Sequence, residues 1–179
     1  MTFFNNPAMK KSLFSVVFLL IAGCAFSQAE VFNRKIMDPK AEQEILIGYC
    51  TREGLMSSDF STFFNDEHDK YKPDQKIVKE ILPKIKDVTV TLIMGTWCDD
   101  SKEQVPRYFK IIDSFEQPGP SITIICVNKD KKCDFVSLEG LNLDKVPTFI
   151  FYRDKTELGR IIESPTGTME QDMLAILSK

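Results

Sequence analysis

Two short β-branched apolar runs bracket one amphipathic segment, and this arrangement constrains the fold more than any other feature. The runs are DVTVTLIMG at 87–95 and SITIICV at 121–127. Each is rich in Val, Ile and Thr, the signature of a buried strand. Between them, SKEQVPRYFKIIDSF places Val105, Tyr108, Phe109, Ile112 and Phe115 at helical spacing. Pro106 lies inside that helix and predicts a kink, and PGP at 118–120 breaks the chain after it. Two strands joined through such a helix form a βαβ unit with a parallel pair. VPTFIFY and ELGRIIE follow as two further strands, joined by the polar turn RDKT into a hairpin. TMEQDMLAIL closes the chain as an amphipathic helix capped by Thr166 or Thr168. The expected fold class is therefore α/β, with one mixed central sheet covered by helices.

The segment 28–75 reads as a helical prelude packed on the core. In DPKAEQEILIGY, Asp38 fits an N-cap and Pro39 the first helical position, with Ile45 and Leu46 on a buried stripe. SSDFSTFFNDEHDKY is a second helix, capped by Ser57 or Ser58. Its Phe60, Phe63 and Phe64 share one face, which is expected to meet the core rather than a ligand. DQKIVKEIL is a third, starting near Asp74 and ended by Pro83.

The first 27 residues have a different character. Lys10 and Lys11 precede an uncharged apolar run from Leu13 to Ala22, the pattern of a signal peptide, and Met9 would serve as its start. The run is short for a membrane span. IAGC fits a lipobox, which would lipidate Cys24 and tether the protein to a membrane, whereas AFSQ fits cleavage after Ser27 and a soluble product. The division expected is 1–27 leader, 28–75 prelude and 76–179 main domain. Export to the periplasm follows, with any membrane contact made through a lipid on Cys24.

Net charge is −3 with no basic stripe, which argues against nucleic acid as a partner. His68 is the single histidine, so a His-based metal centre is not expected, and neither metal nor cofactor is called for. Beyond Cys24, the cysteines are Cys50, Cys98, Cys126 and Cys133, and their spacing forms neither a disulfide framework nor a zinc pattern. Cys126 lies in a buried strand, where a small hydrophobe is the simpler role.

Cys98 differs, because GTWCDDSK places it where the first strand runs into the helix. Helical N–H groups and the positive end of the helix dipole favour a thiolate there. Trp97 can shield the sulfur on one side. Asp99 and Asp100 suit the dipole but repel a thiolate at close range. Ser101 stands one helical turn on, able to donate a hydrogen bond to the thiolate but unable to close a disulfide. Self-resolution of a mixed disulfide is therefore missing within the motif. A small thiol, a client's second thiol, Cys133 or Cys50 would have to release Cys98; otherwise Cys98 is idle. VPT at 146–148 adds a proline at the start of a buried strand, which either a cis Val146–Pro147 bond or an ordinary trans proline would explain.

Taken together these residues resemble the thioredoxin superfamily. TWCDDS occupies the place of its Trp-Cys-x-x-Cys motif, Pro106 that of its helix-kinking proline, VPT that of its cis-proline loop, and Gly159 that of a glycine in its last strand. The likeness spans about residues 75–179. The stretches MGTWCDDSKEQVPRYFKIID and VPTFIFYRDKTELGRIIESP are similar to exported thioredoxin-like proteins of Bacteroidetes-type bacteria, whose motif often ends in Asp-Ser. The resemblance implies a thioredoxin-like fold with an N-terminal helical extension. It implies Cys98 as nucleophile, Trp97 as its shield and Pro147 facing the thiol. Val146, with Pro147 and Thr148, would bind an extended substrate segment. Partners would be protein thiol or disulfide clients, or a small thiol. Two departures stand out: Ser101 replaces the resolving cysteine, and Leu92 stands where many thioredoxins keep a buried carboxylate. Both losses argue against a conventional dithiol reductase. They leave two expectations, monothiol exchange through Cys98 or a redox-inactive protein-binding module.

Overall fold

A computed structural model describes residues 31–179, so the leader and Cys24 lie outside the described residues. The elements are β1 (Arg34–Asp38), β2 (Gln43–Cys50), α1 (Arg52–Met56), α2 (Phe60–Lys70), α3 (Gln75–Ile81), β3 (Val88–Met94), α4 (Asp99–Asp113), β4 (Ser121–Cys126), β5 (Thr148–Arg153), β6 (Thr156–Ile162) and α5 (Met169–Leu177). The six strands form one mixed sheet in the order β1-β2-β4-β3-β5-β6. The expected βαβ unit is β3-α4-β4, whose strands run parallel from Thr89 opposite Ser121 to Met94 opposite Cys126. β5 and β6 form the expected hairpin. No helix among the described residues is long and apolar enough to cross a membrane.

The helical reading of 38–49 is overturned: this stretch belongs to the β1–β2 hairpin. Asp38 and Pro39 fit a turn as well as a helix start, and here they make the turn. The Asp38 carboxylate accepts the N–H groups of Lys40 and Ala41, at 2.8 and 3.2 Å, and Glu42 N–H bonds Asp38 O at 2.8 Å. Downstream, Ile45, Leu46 and Ile47 are all buried, on successive residues. A strand inside a sheet satisfies three consecutive apolar residues because it is covered on both faces. The prelude is thus a hairpin followed by three helices. Of its aromatic face, Phe60 and Phe64 are buried while Phe63 is exposed. Asp74 and Thr168 cap α3 and α5 as read, the latter in a full capping box. α4 runs through Pro106 without ending.

Strand alternation sends side chains to two unlike layers. Val88, Val90, Leu92 and Met94 of β3, with Phe149 and Phe151 of β5, join one large core containing residues from all five helices. Ile93, Val127 and Ile150 point the other way, into a smaller cluster with Cys98 and Val146. That second cluster is covered by Cys133, Leu138, Leu141 and Leu143. They come from the segment 127–147, which has no helix or strand. Helices therefore pack one face, and an irregular segment packs the other.

Candidate functional site around Cys98

The end of β3 and the start of α4 build the site. A turn closed by Cys98 N–H on Gly95 O, at 3.0 Å, carries the chain from strand to helix, with Cys98 as the N-cap residue. Its backbone has the extended conformation usual at an N-cap, but the thiol makes no capping bond. The Cys98 S–H instead donates to Val146 O at 3.2 Å. Val146 precedes Pro147 across a cis peptide bond. Cys98 is 9% exposed, at the edge of solvent access.

Trp97 packs against the same small cluster as Cys98, and its ring is anchored at one point. Its indole Nε1–H donates to Val127 O at 2.9 Å, just beyond the end of β4. The ring lies back over Gly95, where a Cβ would fall 2.5 Å from Cε2 and Nε1 of the indole. Gly95 is thus required by the indole's position. Thr96, between them, accepts the Leu46 N–H at 3.2 Å, tying the turn to β2.

The bond seen at Ser101 is to the backbone rather than to sulfur. Ser101 is fully buried, and its Oγ accepts the Gly95 N–H at 3.4 Å, so it braces the turn from inside α4. Asp99 points outward to Lys102 at 2.9 Å. Its charge is thereby held in water rather than against the sulfur. Asp100 adds to the field that raises Lys145, behind the direct bond from Glu163. Thr148 turns its hydroxyl to Lys145 O at 2.6 Å, and Pro147 O accepts the Glu163 N–H at 2.8 Å. Of the expected substrate-binding trio, Val146 meets the thiol through its carbonyl, Pro147 follows across the cis bond, and Thr148 buttresses the loop.

The four described cysteines are all unbonded. Cys50 lies in the helix-side core and Cys98 in the opposite cluster, so the two pack on different faces of the sheet. Cys133 packs against the same small cluster as Cys98 and is partly exposed. No group of three or more metal-ligating side chains gathers among the described residues.

One contributor was hidden in the sequence. Asp38, read as a helix cap, also accepts the Lys129 N–H at 2.8 Å on its second oxygen. It thereby fixes the loop after Val127, and Lys129 Nζ stands 6.0 Å from the Trp97 ring centre. The backbone N–H groups of Lys129, Lys40 and Ala41 hold this buried carboxyl below its ordinary value, against the upward push of burial. Asp-Pro alone carries no sign of a contact so distant in sequence.

No known protein family matches the sequence, and no curated protein matches it. Among solved structures, a Pseudomonas aeruginosa protein of unknown function aligns with a TM-score of 0.48 at 14% identity, covering 66% of this chain and 81% of that one. An HIV epitope-scaffold aligns with a TM-score of 0.45 at 17% identity, covering 66% of this chain and 82% of that one.

Proposed function

We propose that the chain is an exported thioredoxin-fold protein whose Cys98 acts as a monothiol in thiol–disulfide exchange, as a reductase or isomerase. The observation that carries this reading is the Cys98 sulfur at the head of α4, 3.2 Å from Val146 O and beside Trp97. The order strand–helix–strand, then hairpin, then helix, supports the thioredoxin likeness, and export rests on the leader sequence. In the proposed reaction the Cys98 thiolate attacks one sulfur of a client disulfide. A Cys98–client bond forms, and the client's other sulfur leaves as a thiolate. In isomerisation, another client thiolate attacks the client sulfur, forms a new client disulfide and releases the Cys98 thiolate. In reduction, a small thiol attacks the Cys98 sulfur and releases the client thiolate, and a second small thiol then frees Cys98 as the small disulfide forms. A thiolate has no hydrogen to give Val146 O, so the contact in the resting site must open before attack.

A second reading is favoured by a different observation. Ser101 is turned to Gly95 and the thiol is nearly covered, so the same frame suits a redox-inactive module presenting the Val146–Pro147 edge to a protein. The two readings part in one experiment. The reduced protein is mixed with a peptide–glutathione disulfide, quenched with acid and mapped by mass spectrometry. Exchange predicts an adduct on Cys98 that is lost in Cys98→Ser and kept in Cys133→Ser. A folded protein that leaves Cys98 unmodified would remove the exchange reading and leave the binding module.

A further inference from the structure

Phe63 belongs to an aromatic helix face whose other two members, Phe60 and Phe64, are 2% and 1% exposed, yet Phe63 itself is 47% exposed. Its ring already holds one cation. Lys102 Nζ stands 4.5 Å from the ring centre and 2.9 Å from the Asp99 carboxylate. An aromatic face backed by a carboxylate attracts ammonium and guanidinium groups. Two hollows adjoin at this pair, since Phe63 and Lys102 line both. The larger, of about 300 Å³, lies between α2 and the head of α4. In it the carboxylates of Asp66, Glu67, Asp99 and Glu103 outnumber the ammonium groups of Lys70 and Lys102. Glu67 and Glu103 share Arg107, and Asp99 holds Lys102, whereas Asp66 has no ion pair among the described residues.

The smaller hollow, of about 100 Å³, runs along β2. There Leu46 N–H turns away from β1 to Thr96 Oγ1, at 3.2 Å. Backbone groups alternate along an antiparallel strand, so Glu44 turns its N–H and C=O the same way. β4 pairs with β2 only at Gly48–Cys50, so no strand meets Glu44 on that side. An open strand edge takes an extended polypeptide, and the carboxylates beyond Phe63 favour a cationic one. The lining includes Asp99, the residue after Cys98, so a docked segment passes beside the head of α4. We propose that this groove docks an extended cationic segment of the client, with an Arg or Lys side chain against the exposed part of the Phe63 ring and near Asp66. Lys102 keeps its own place over that ring. That the segment belongs to a client rests on the exchange reading above; the docking itself does not use the Cys98 sulfur.

Docking is measured apart from chemistry in Cys98→Ser, by fluorescence anisotropy of labelled, cysteine-free extended peptides. One peptide is Arg-rich, and the other carries Glu at the same positions. The Arg peptide is expected to bind roughly tenfold more tightly at low salt, with the difference shrinking as salt rises. Phe63→Ala and Asp66→Lys, both at exposed positions, should each remove that preference. Should Phe63→Ala fail to fold, Asp66→Lys decides. Equal binding of the two peptides overturns the proposal, and so does a preference that survives both substitutions. A dimer in sedimentation that Phe63→Ala dissolves would give the groove to a second copy and overturn it as well. Exchange is followed separately with Cys98 intact, using the Arg and Glu sequences as peptide–glutathione disulfides. The Arg peptide should modify Cys98 faster, and Asp66→Lys should erase its lead. Equal rates overturn the client role of the groove. If neither peptide modifies Cys98 while the binding preference stands, the exchange reading falls and the docking groove remains.

Discussion

At the scale of single residues, Gly95 and Trp97 determine each other. A methyl group at position 95 would meet the indole at 2.5 Å, so Gly95→Ala must expel the ring and break its bond to Val127 O. Trp97 is the only tryptophan in the chain, so its fluorescence reports this site alone. Gly95→Ala is expected to shift the emission maximum to the red and to cost about 1–3 kcal/mol in urea unfolding. Unchanged emission would mean that the indole keeps its place by another route. The placement of Trp97 and Cys98 was legible because a β-branched apolar run passes there into a helical period. The role of Ser101 was not. A hydroxyl one turn on from the thiol fits a bond to sulfur by spacing alone, and only the Gly95 N–H, buried beside it, shows where the oxygen turns.

Among the elements, the β1–β2 hairpin departs furthest from its reading, and Asp38 explains why it matters. Its carboxylate accepts three backbone N–H groups, two in its own turn and one at Lys129. Asp38→Ala strands all three and is expected to cost about 2–4 kcal/mol. Amide exchange should accelerate at Lys40, Ala41 and Lys129. The pH dependence has a definite sign. The folded carboxyl is held below its ordinary value, so its stabilisation is full above about pH 4 to 5. It is lost as pH falls through the folded value. The stability gap between wild type and Asp38→Asn should therefore narrow in acid, followed by urea midpoints from pH 6 downward. The sequence misled here because Asp-Pro opens helices and turns alike, whereas the β3-α4-β4 unit was legible because its strands and its helix each show their own period. The irregular cover at 127–147 showed no period at all, which suits a segment held by scattered Leu contacts and by Asp38.

For the whole molecule, closure depends on contacts between parts distant in the chain. Glu170 at the start of α5 is 2% exposed and accepts Tyr71 O–H at 2.6 Å and Asp74 N–H at 2.9 Å, where α2 gives way to α3. Burial and then this bond push the Tyr71 phenol up. Glu170→Ala leaves both donors without an acceptor and is expected to lower stability by about 2–4 kcal/mol in chemical denaturation. Glu170→Gln should recover part of that loss. The sheet order carries a consequence for how the chain is made. β2 pairs with β1 over Gln43–Ile47 but with β4 over Gly48–Cys50. During synthesis the hairpin emerges first, and its inner edge has no partner until β3, α4 and β4 exist. Through that interval Gly48–Cys50 present an open edge directly after the uncharged, β-prone Ile45, Leu46 and Ile47. The nascent chain must be kept apart from its own copies until its second half is made.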